Sequence, residues 1–275
     1  MPAPEWLGPA PPTPARRVVS LVPSLTDAVY RLGAGACLVA RTRFCIRPRG
    51  RVETVATIRG PKNPDRDRIR ALAPDLILAN REENTRDHVL DLARTIPVCL
   101  TDPAGPADVP ALWRTLGRAL GRDRAGAAWA DRTRAAIAAA RGGAGTRPRF
   151  LYLIWKQPWM AAGHGTYISN LLETAGLANA LAPDLTRYPQ LDSGALAAID
   201  ADLVLFSSEP YAFRLPRDLG PLAGGAVGCT ARRYRLADGA IARLVDGESL
   251  SWYPSLTIEG LRYASALRRS ATTRS

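Results

Sequence analysis

The hydrophobic and polar positions of this chain change period many times along its length. Val18 to Val22, "VVSLV", is a short β-branched run that predicts a buried strand. The following "PSLTDAVYRLGAG" spaces its apolar residues at helical intervals, with Ser24 or Thr26 placed to cap, Asp27 in the first turn and Gly33 to end the helix. "LVARTRFC" predicts a second strand, and "NPDRDRIRALAP" a helix opened at Asn63-Pro64 and closed before Pro74. "DLILAN" is a third strand, "TRDHVLDLART" a helix and "IPVCLTD" a fourth strand. From "GPADVPALWRTLGRAL" through "DRAGAAWADRTRAAIAAAR" the pattern stays helical until "GGAGT" ends it. Alternation then resumes with "RFLYLIW" as strand, "TYISNLLETAG" and "SGALAAID" as helices and "DLVLFS" as strand. A last helix, "LTIEGLRYASALRRS", runs into a polar tail. Short apolar strands alternating with helices specify an α/β protein with mostly parallel sheets.

An internal repeat divides the chain. "PDLILANRE" from Pro74 aligns without gaps with "ADLVLFSSE" from Ala201, matching Asp75 to Asp202 and Glu82 to Glu209. "SLTDAVYRLGAG" likewise echoes "YISNLLETAGLA". The expected architecture is two related Rossmann-like lobes with parallel sheets, joined by a long helix, with a ligand cleft between the lobes. The boundaries follow from the pattern: a proline-rich disordered tail over 1–15, an N-terminal lobe over 16–104, a helical linker over 105–145 and a C-terminal lobe over 146–275.

In parallel α/β sheets, ligands sit outside the carboxyl ends of the strands. The loops predicted there carry Pro23 and Ser24, Phe44 beside Arg43, and Glu82, Glu83 and Asn84. Later in the chain they carry Trp155, Trp159 and Met160, then Glu209, Tyr211 and Phe213, then Trp252 and Tyr253. Aromatic residues make up only 7% of the chain, yet they gather in these loops. Flat aromatic walls with a few fixed polar groups suit a large, planar, amphipathic ligand. For any single ring the competing reading is packing within the protein. "GPKNP", Gly60 to Pro64, reads either as an anion-binding helix start with Lys62 or as an ordinary cap.

Composition removes several alternatives. At 47% hydrophobic and 23% charged, the 275 residues can bury a core and are not disordered. The net charge of +12 raises nucleic acid or another anion as a partner. The arginines are spread along the chain without a recognition-helix or RNA-binding signature, which argues against nucleic acid. Cys37, Cys45, Cys99 and Cys229 form no CxxC pair and read as buried thiols. His88 and His164 are too few and too scattered for a protein-built metal site. "MPAPEWLGPAPPTPARR" has no apolar signal region and no later run spans a bilayer. The chain therefore reads as cytoplasmic as written, or as periplasmic or cell-surface if it is a trimmed mature form. Glu82 and Glu83 have no nucleophile–histidine pair nearby in sequence, so catalysis has little footing.

Taken together, "VVSLVPSLTDAVYRLG", "KNPD", "PDLILANREEN", "PWMAAG", "TYISNLLE", "DLVLFSSEPYAF" and "VDGESLSWY" resemble the helical-backbone substrate-binding proteins of ABC transporters, above all their cobalamin-binding members. The resemblance implies two α/β lobes on a rigid bridging helix. It implies a non-enzymatic binding protein related to ABC-transporter substrate delivery, with cobalamin or another corrinoid, haem or an iron–siderophore as ligand and no required cofactor. It places Trp155 to Met160, Glu209 to Phe213 and Trp252 to Tyr253 among the ligand-lining positions. It also implies a monomer that docks on an ABC permease through one acid per lobe. Glu53 matches the first acid; Ser193 and Gly194 stand where the second is expected, with Asp192 beside them. The alternative is a cytosolic enzyme on the same fold, using Glu82, Glu83 or Glu209 as acid–base groups.

Overall fold

A computed structural model describes residues 4–141, 146–223, 227–230, 233–236 and 239–272. The chain divides into two compact units. The first comprises Met1–Pro103, Ala107–Ala135 and Trp252–Thr257, and the second Ala104–Pro106, Ala136–Ser251 and Ile258–Ser275.

The first unit is built on strands β1 (Glu5–Leu7), β2 (Val18–Ser20), β3 (Leu38–Arg41), β4 (Ala56–Thr57), β5 (Leu76–Asn80) and β6 (Val98–Thr101), with helices α1 (Pro23–Arg31), α2 (Arg66–Ala71), α3 (Arg86–Ala93) and α4 (Val109–Ala119). The strand order is β1-β6-β5-β2-β3-β4. All neighbours are parallel except β1 against β6. Every residue of β2, β5 and β6 is buried, as expected of parallel strands covered on both faces. Helix α5 (Asp123–Ala140), 18 residues long, carries the chain from the first unit into the second.

The second unit holds β7 (Arg149–Trp155), β8 (Trp159–Ala161), β9 (Ala178–Asn179), β10 (Gln190–Leu191), β11 (Leu203–Ser207), β12 (Val227–Thr230), β13 (Arg233–Arg235) and β14 (Ile241–Val245). Its helices are α6 (Tyr167–Thr174), α7 (Ser193–Ala198), α8 (Gly247–Ser251) and α9 (Thr257–Thr272). The sheet runs β10-β8-β7-β11-β14-β13-β12, with β9 beside β7. Its centre, β7-β11-β14, is parallel.

Several expectations change in the structure. The tail expected to be disordered contributes β1: Glu5 pairs with Leu100 and Leu7 with Val98, antiparallel. It covers an edge whose N–H and C=O groups would otherwise be unpaired, and Arg81 clamps it through an ion pair to Glu5. Helix α1 begins at Pro23 rather than at a Ser24 or Thr26 cap, since proline suits the first helical position; Asp27 instead pairs with Arg31 at 3.0 Å. Most of the expected linker belongs to the first unit. There Trp113 stacks on Trp129 with centroids 5.1 Å apart. A Cβ on Gly117 would lie 2.9 Å from the Cα of Gly126, so α4 and α5 meet at backbone contact. Trp252 and Tyr253, expected in the C-terminal lobe, belong to the first unit. The glycine run expected to end α5 (142–145) and the last three residues (273–275) lie outside the described residues, as does the side chain of Cys229; Cys37, Cys45 and Cys99 are free thiols.

The internal repeat has a physical basis. Asp75 accepts hydrogen bonds from the backbone N–H groups of Arg16 and Arg17 at 2.8 and 2.9 Å. Its counterpart Asp202 accepts from Arg149 N–H at 2.8 Å. In each unit the acid thus fixes the start of the strand beside β5 or β11. At the other end of the same strands, Asn80 Oδ1 accepts from Glu82 N–H at 3.0 Å and Ser207 Oγ from Glu209 N–H at 3.3 Å. The matched helices α1 and α6 both end at a glycine with positive φ, Gly33 at 74° and Gly176 at 86°. Asp75→Ala is expected to cost about 2 kcal/mol, because two charge-assisted bonds are lost. The urea unfolding midpoint measures the loss.

Candidate functional site

In the first unit the loop after β5 is organised by Asn80. Its Oδ1 accepts from Glu82 and Glu83 N–H at 3.0 and 3.1 Å, while its Nδ2 donates to Thr101 O at 2.9 Å and to Tyr253 Oη at 2.8 Å. That last bond seats the buried Tyr253 in this unit and leaves Trp252 partly exposed beneath the Arg47 guanidinium, 5.7 Å from the ring centroid. Asn84, expected to touch ligand, is buried and turned inward. Its Oδ1 accepts from Asn80 N–H at 2.9 Å and its Nδ2 donates to Pro61 O at 3.0 Å. It ties loops together rather than presenting an amide. Ser24 is also buried, in the first turn of α1, with Pro23 partly exposed before it. Glu82 is partly buried and Glu83 exposed. Desolvation raises the Glu83 carboxyl pKa, with the Lys62 ammonium opposing and Glu82 adding.

Lys62 donates to the backbone O of Glu82 at 2.6 Å. The start of α2 is capped by Asp65, whose Oδ1 accepts from Arg68 N–H at 3.1 Å. The helix thus starts at Arg66 behind Asp65, so "GPKNP" lies before it and does not open it at Asn63-Pro64. Phe44, past the end of β3, is 49% exposed and lies under the Arg43 guanidinium at 5.0 Å.

In the second unit, β7 ends on Trp155, 39% exposed and met edge-on by Tyr211 at 5.6 Å. Met160 is partly buried on β8. Trp159 and Phe213, expected to line a site, instead belong to the hydrophobic core, 8% and 5% exposed and stacked at 6.1 Å. The pleat is the reason: Trp159 and Ala161 point inward from β8 and Met160 points the other way. A Cβ on Gly220 would come within 2.6 Å of the Trp159 ring, so a glycine covers it. Glu209 is partly buried, and its Oε1 accepts from Ser251 Oγ at 3.0 Å. A Cβ on Gly247 would collide with Glu209 Cγ at 2.7 Å, so that glycine admits the glutamate.

Asp218 was not foreseen. Only 2% exposed, it accepts from Lys156 Nζ at 3.1 Å, Arg217 Nη2 at 3.0 Å and Arg214 N–H at 2.7 Å. Lys156 lies in the turn between Trp155 and Trp159, and Arg214 follows Tyr211. The carboxylate therefore joins the two segments that carry Trp155 and Tyr211. Burial alone would raise its pKa, but Arg217, Arg214 N–H and Lys156 together carry it down to about 2, from an ordinary 3.8. A lowered carboxyl pKa stabilises the fold above the unfolded value, and this contribution disappears as pH falls through the folded one. Asp218→Asn is thus expected to flatten the acid limb of stability between roughly pH 4 and pH 2, read from melting temperature against pH. The sequence around it, "RLPRDLG", follows no motif.

Among the described residues no group of three or more His, Cys, Asp or Glu could hold a metal ion. No helix among them is long and apolar enough to cross a membrane.

A family model described as periplasmic binding protein matches residues 18–218. The chain belongs to this family. Two vitamin B12-binding proteins are similar in sequence. That of Pectobacterium carotovorum subsp. carotovorum (strain PC1) is 38% identical over 104 residues, 37% of this chain and 37% of the relative. That of Yersinia pestis (strain Pestoides F) is 40% identical over 92 residues, 32% of each. The matches thus span about a third of those relatives' length. Among solved structures, the periplasmic vitamin B12 binding protein of Vibrio cholerae has a TM-score of 0.79 at 17% identity, covering 96% of this chain and 100% of that one. The periplasmic haem-binding protein of Roseiflexus sp. RS-1 gives 0.72 at 19%, covering 94% and 98%. These likenesses show the fold: two mixed α/β sheets with parallel centres, as the sequence predicts. The family is one of periplasmic binding proteins rather than enzymes, and the comparisons lend the cytoplasmic reading no support.

Proposed function

We propose that this periplasmic-binding-family protein captures a metal-bearing tetrapyrrole, cobalamin or another corrinoid first among them, and delivers it to an ABC permease. The observation that carries this reading is Trp155: an indole left 39% exposed at the carboxyl end of a core strand and braced edge-on by Tyr211. Phe44 and Trp252, each under a guanidinium, offer the same kind of surface in the first unit. Exposed rings on built supports bind flat apolar faces at low entropic cost. Cobalamin stands ahead of haem because the relatives at 38% and 40% identity are named for vitamin B12. Haem is the second reading, supported by fold neighbours named for it.

Phe44, Trp155, Met160, Tyr211 and Trp252, with Pro23, Glu82, Glu83 and Glu209 as polar or edge groups, are the residues we assign to the ligand. Glu53 is the proposed docking acid. It is exposed, and its carboxyl pKa is lowered by its own backbone N–H and by that of Gly50, so it stays ionised. Asp192 is exposed as well but caps α7, accepting from Ala195 N–H at 2.8 Å, which makes it the weaker of the two. Optical titration with cyanocobalamin, aquocobalamin and haemin tests the reading. Saturable binding at micromolar or tighter affinity supports it, and no binding to any of the three overturns it.

A further inference from the structure

Trp155 ends β7, and a large ring at a strand end has core on one side only. The turn after it passes through Gln157 at φ 67°, a left-handed conformation that a side chain with a Cβ adopts at a cost. Such a turn persists where its surroundings fix it. Beside it, Lys156 crosses the face of the buried Trp159 ring, its Nζ 5.4 Å from the centroid, and ends on Asp218 at 3.1 Å.

Asp218 serves a second segment as well. Its Oδ2 accepts from Arg214 N–H at 2.7 Å and from Arg217 Nη2 at 3.0 Å. Its Oδ1 accepts from Arg217 Nε at 3.2 Å as well as from Lys156. Each oxygen thus takes two donors, which fills the acceptor capacity of a carboxylate. The Arg217 guanidinium, forked on Asp218, also hydrogen-bonds Tyr211. Tyr211 in turn meets Trp155 edge-on at 5.6 Å and Phe213 at 4.6 Å, and Phe213 stacks on Trp159 at 6.1 Å. Packing fixes the two core rings, Trp159 and Phe213. The two outer rings have the Asp218 bonds on either side of them. A buried, paired carboxylate gains little net stability over an apolar residue of its shape, so its distinctive effect is to select one arrangement of the groups around it.

Resting on the tetrapyrrole reading above, we infer that Asp218 is a positioning residue: without touching the ligand, it fixes Trp155 and Tyr211 in their binding geometry before a ligand arrives. Lys156 transmits the constraint to the Trp155 turn, and Arg217 transmits it to the Tyr211 ring. Loss of the carboxylate leaves both rings to be ordered on binding, which lowers affinity by about tenfold.

Double-mutant cycles test this. Cyanocobalamin, aquocobalamin and haemin are titrated into the wild type, Asp218→Asn, Arg217→Gln and, as control, Asp75→Ala, which loses backbone bonds just before β5 in the first unit. Asp218→Asn is also combined with Trp155→Ala, and Arg217→Gln with Tyr211→Phe. The probe that binds wild type is expected to bind Asp218→Asn about tenfold and Arg217→Gln about threefold more weakly. Asp75→Ala keeps wild-type affinity although it is less stable. On the Trp155→Ala background the Asp218→Asn loss falls to about threefold, because only Tyr211 is left to order. On the Tyr211→Phe background the Arg217→Gln loss disappears. A purely structural role would carry its full loss onto either background. The Arg217 side chain is 59% exposed, so its variant keeps the fold and decides the question even where Asp218→Asn does not fold. Wild-type affinity in folded Asp218→Asn or in Arg217→Gln, or losses of equal size on both backgrounds, overturn the inference while tetrapyrrole binding stands. Failure of every probe to bind the wild type overturns both.

Discussion

Trp113→Ala is expected to lower the unfolding free energy by about 3–5 kcal/mol, the range for deleting a large aromatic from a packed core. Trp113 has no exposed surface and stacks on Trp129 at the place where α4 and α5 pack on the first unit. The Gly117–Gly126 approach already brings those helices to backbone contact, so they cannot close further around the void. The residual cavity therefore persists and adds its own cost. Trp113→Phe separates volume from polarity. The indole N–H of Trp113 has no acceptor among the described residues, so its removal forfeits no hydrogen bond, and the phenylalanine variant is expected to lose less than half as much. Urea unfolding of both variants measures the difference. Equal losses would show that something other than filled volume makes the site sensitive.

Trp155→Ala is the matching prediction for ligand binding. Truncating an aromatic anchor costs about 2 kcal/mol of binding, which corresponds to a roughly 30-fold rise in Kd. Stability is expected to stay within about 0.5 kcal/mol, because the side chain is 39% exposed. Trp159→Ala, only a few positions away, should do the reverse and damage the fold, since Trp159 is in the core against Phe213. Measuring affinity and melting temperature on both variants distinguishes a ligand wall from a packing residue. If Trp155→Ala binds as tightly as wild type, the exposed indole is not part of the site.

What the sequence revealed and what it concealed have physical explanations. The strand–loop repeat was legible because one residue type recurs for one reason: Asp75 and Asp202 fix the start of a neighbouring strand, and Asn80 and Ser207 fix the turn that follows. Parallel strands buried on both faces give continuous apolar runs, and those were visible. Side-chain direction in β8 was not, because a three-residue strand is too short for its alternation to separate Trp159 from Met160. Tyr253 was assigned to the wrong unit since its partner Asn80 lies 173 positions away, a distance over which local pattern carries no information. Strand β1 was missed because the prolines around it read as disorder, while the edge it covers belongs to another part of the chain. Asp218 escaped for a similar reason: only the folded chain brings Lys156, 62 positions earlier, within 3.1 Å of it.

The most direct test of the account is equilibrium titration of the purified protein with cyanocobalamin, aquocobalamin and haemin, followed by ligand absorbance. The account predicts saturable one-to-one binding of at least one of them, micromolar or tighter, weakened about 30-fold by Trp155→Ala. Unchanged spectra with all three ligands, from a protein that melts cooperatively, would contradict it.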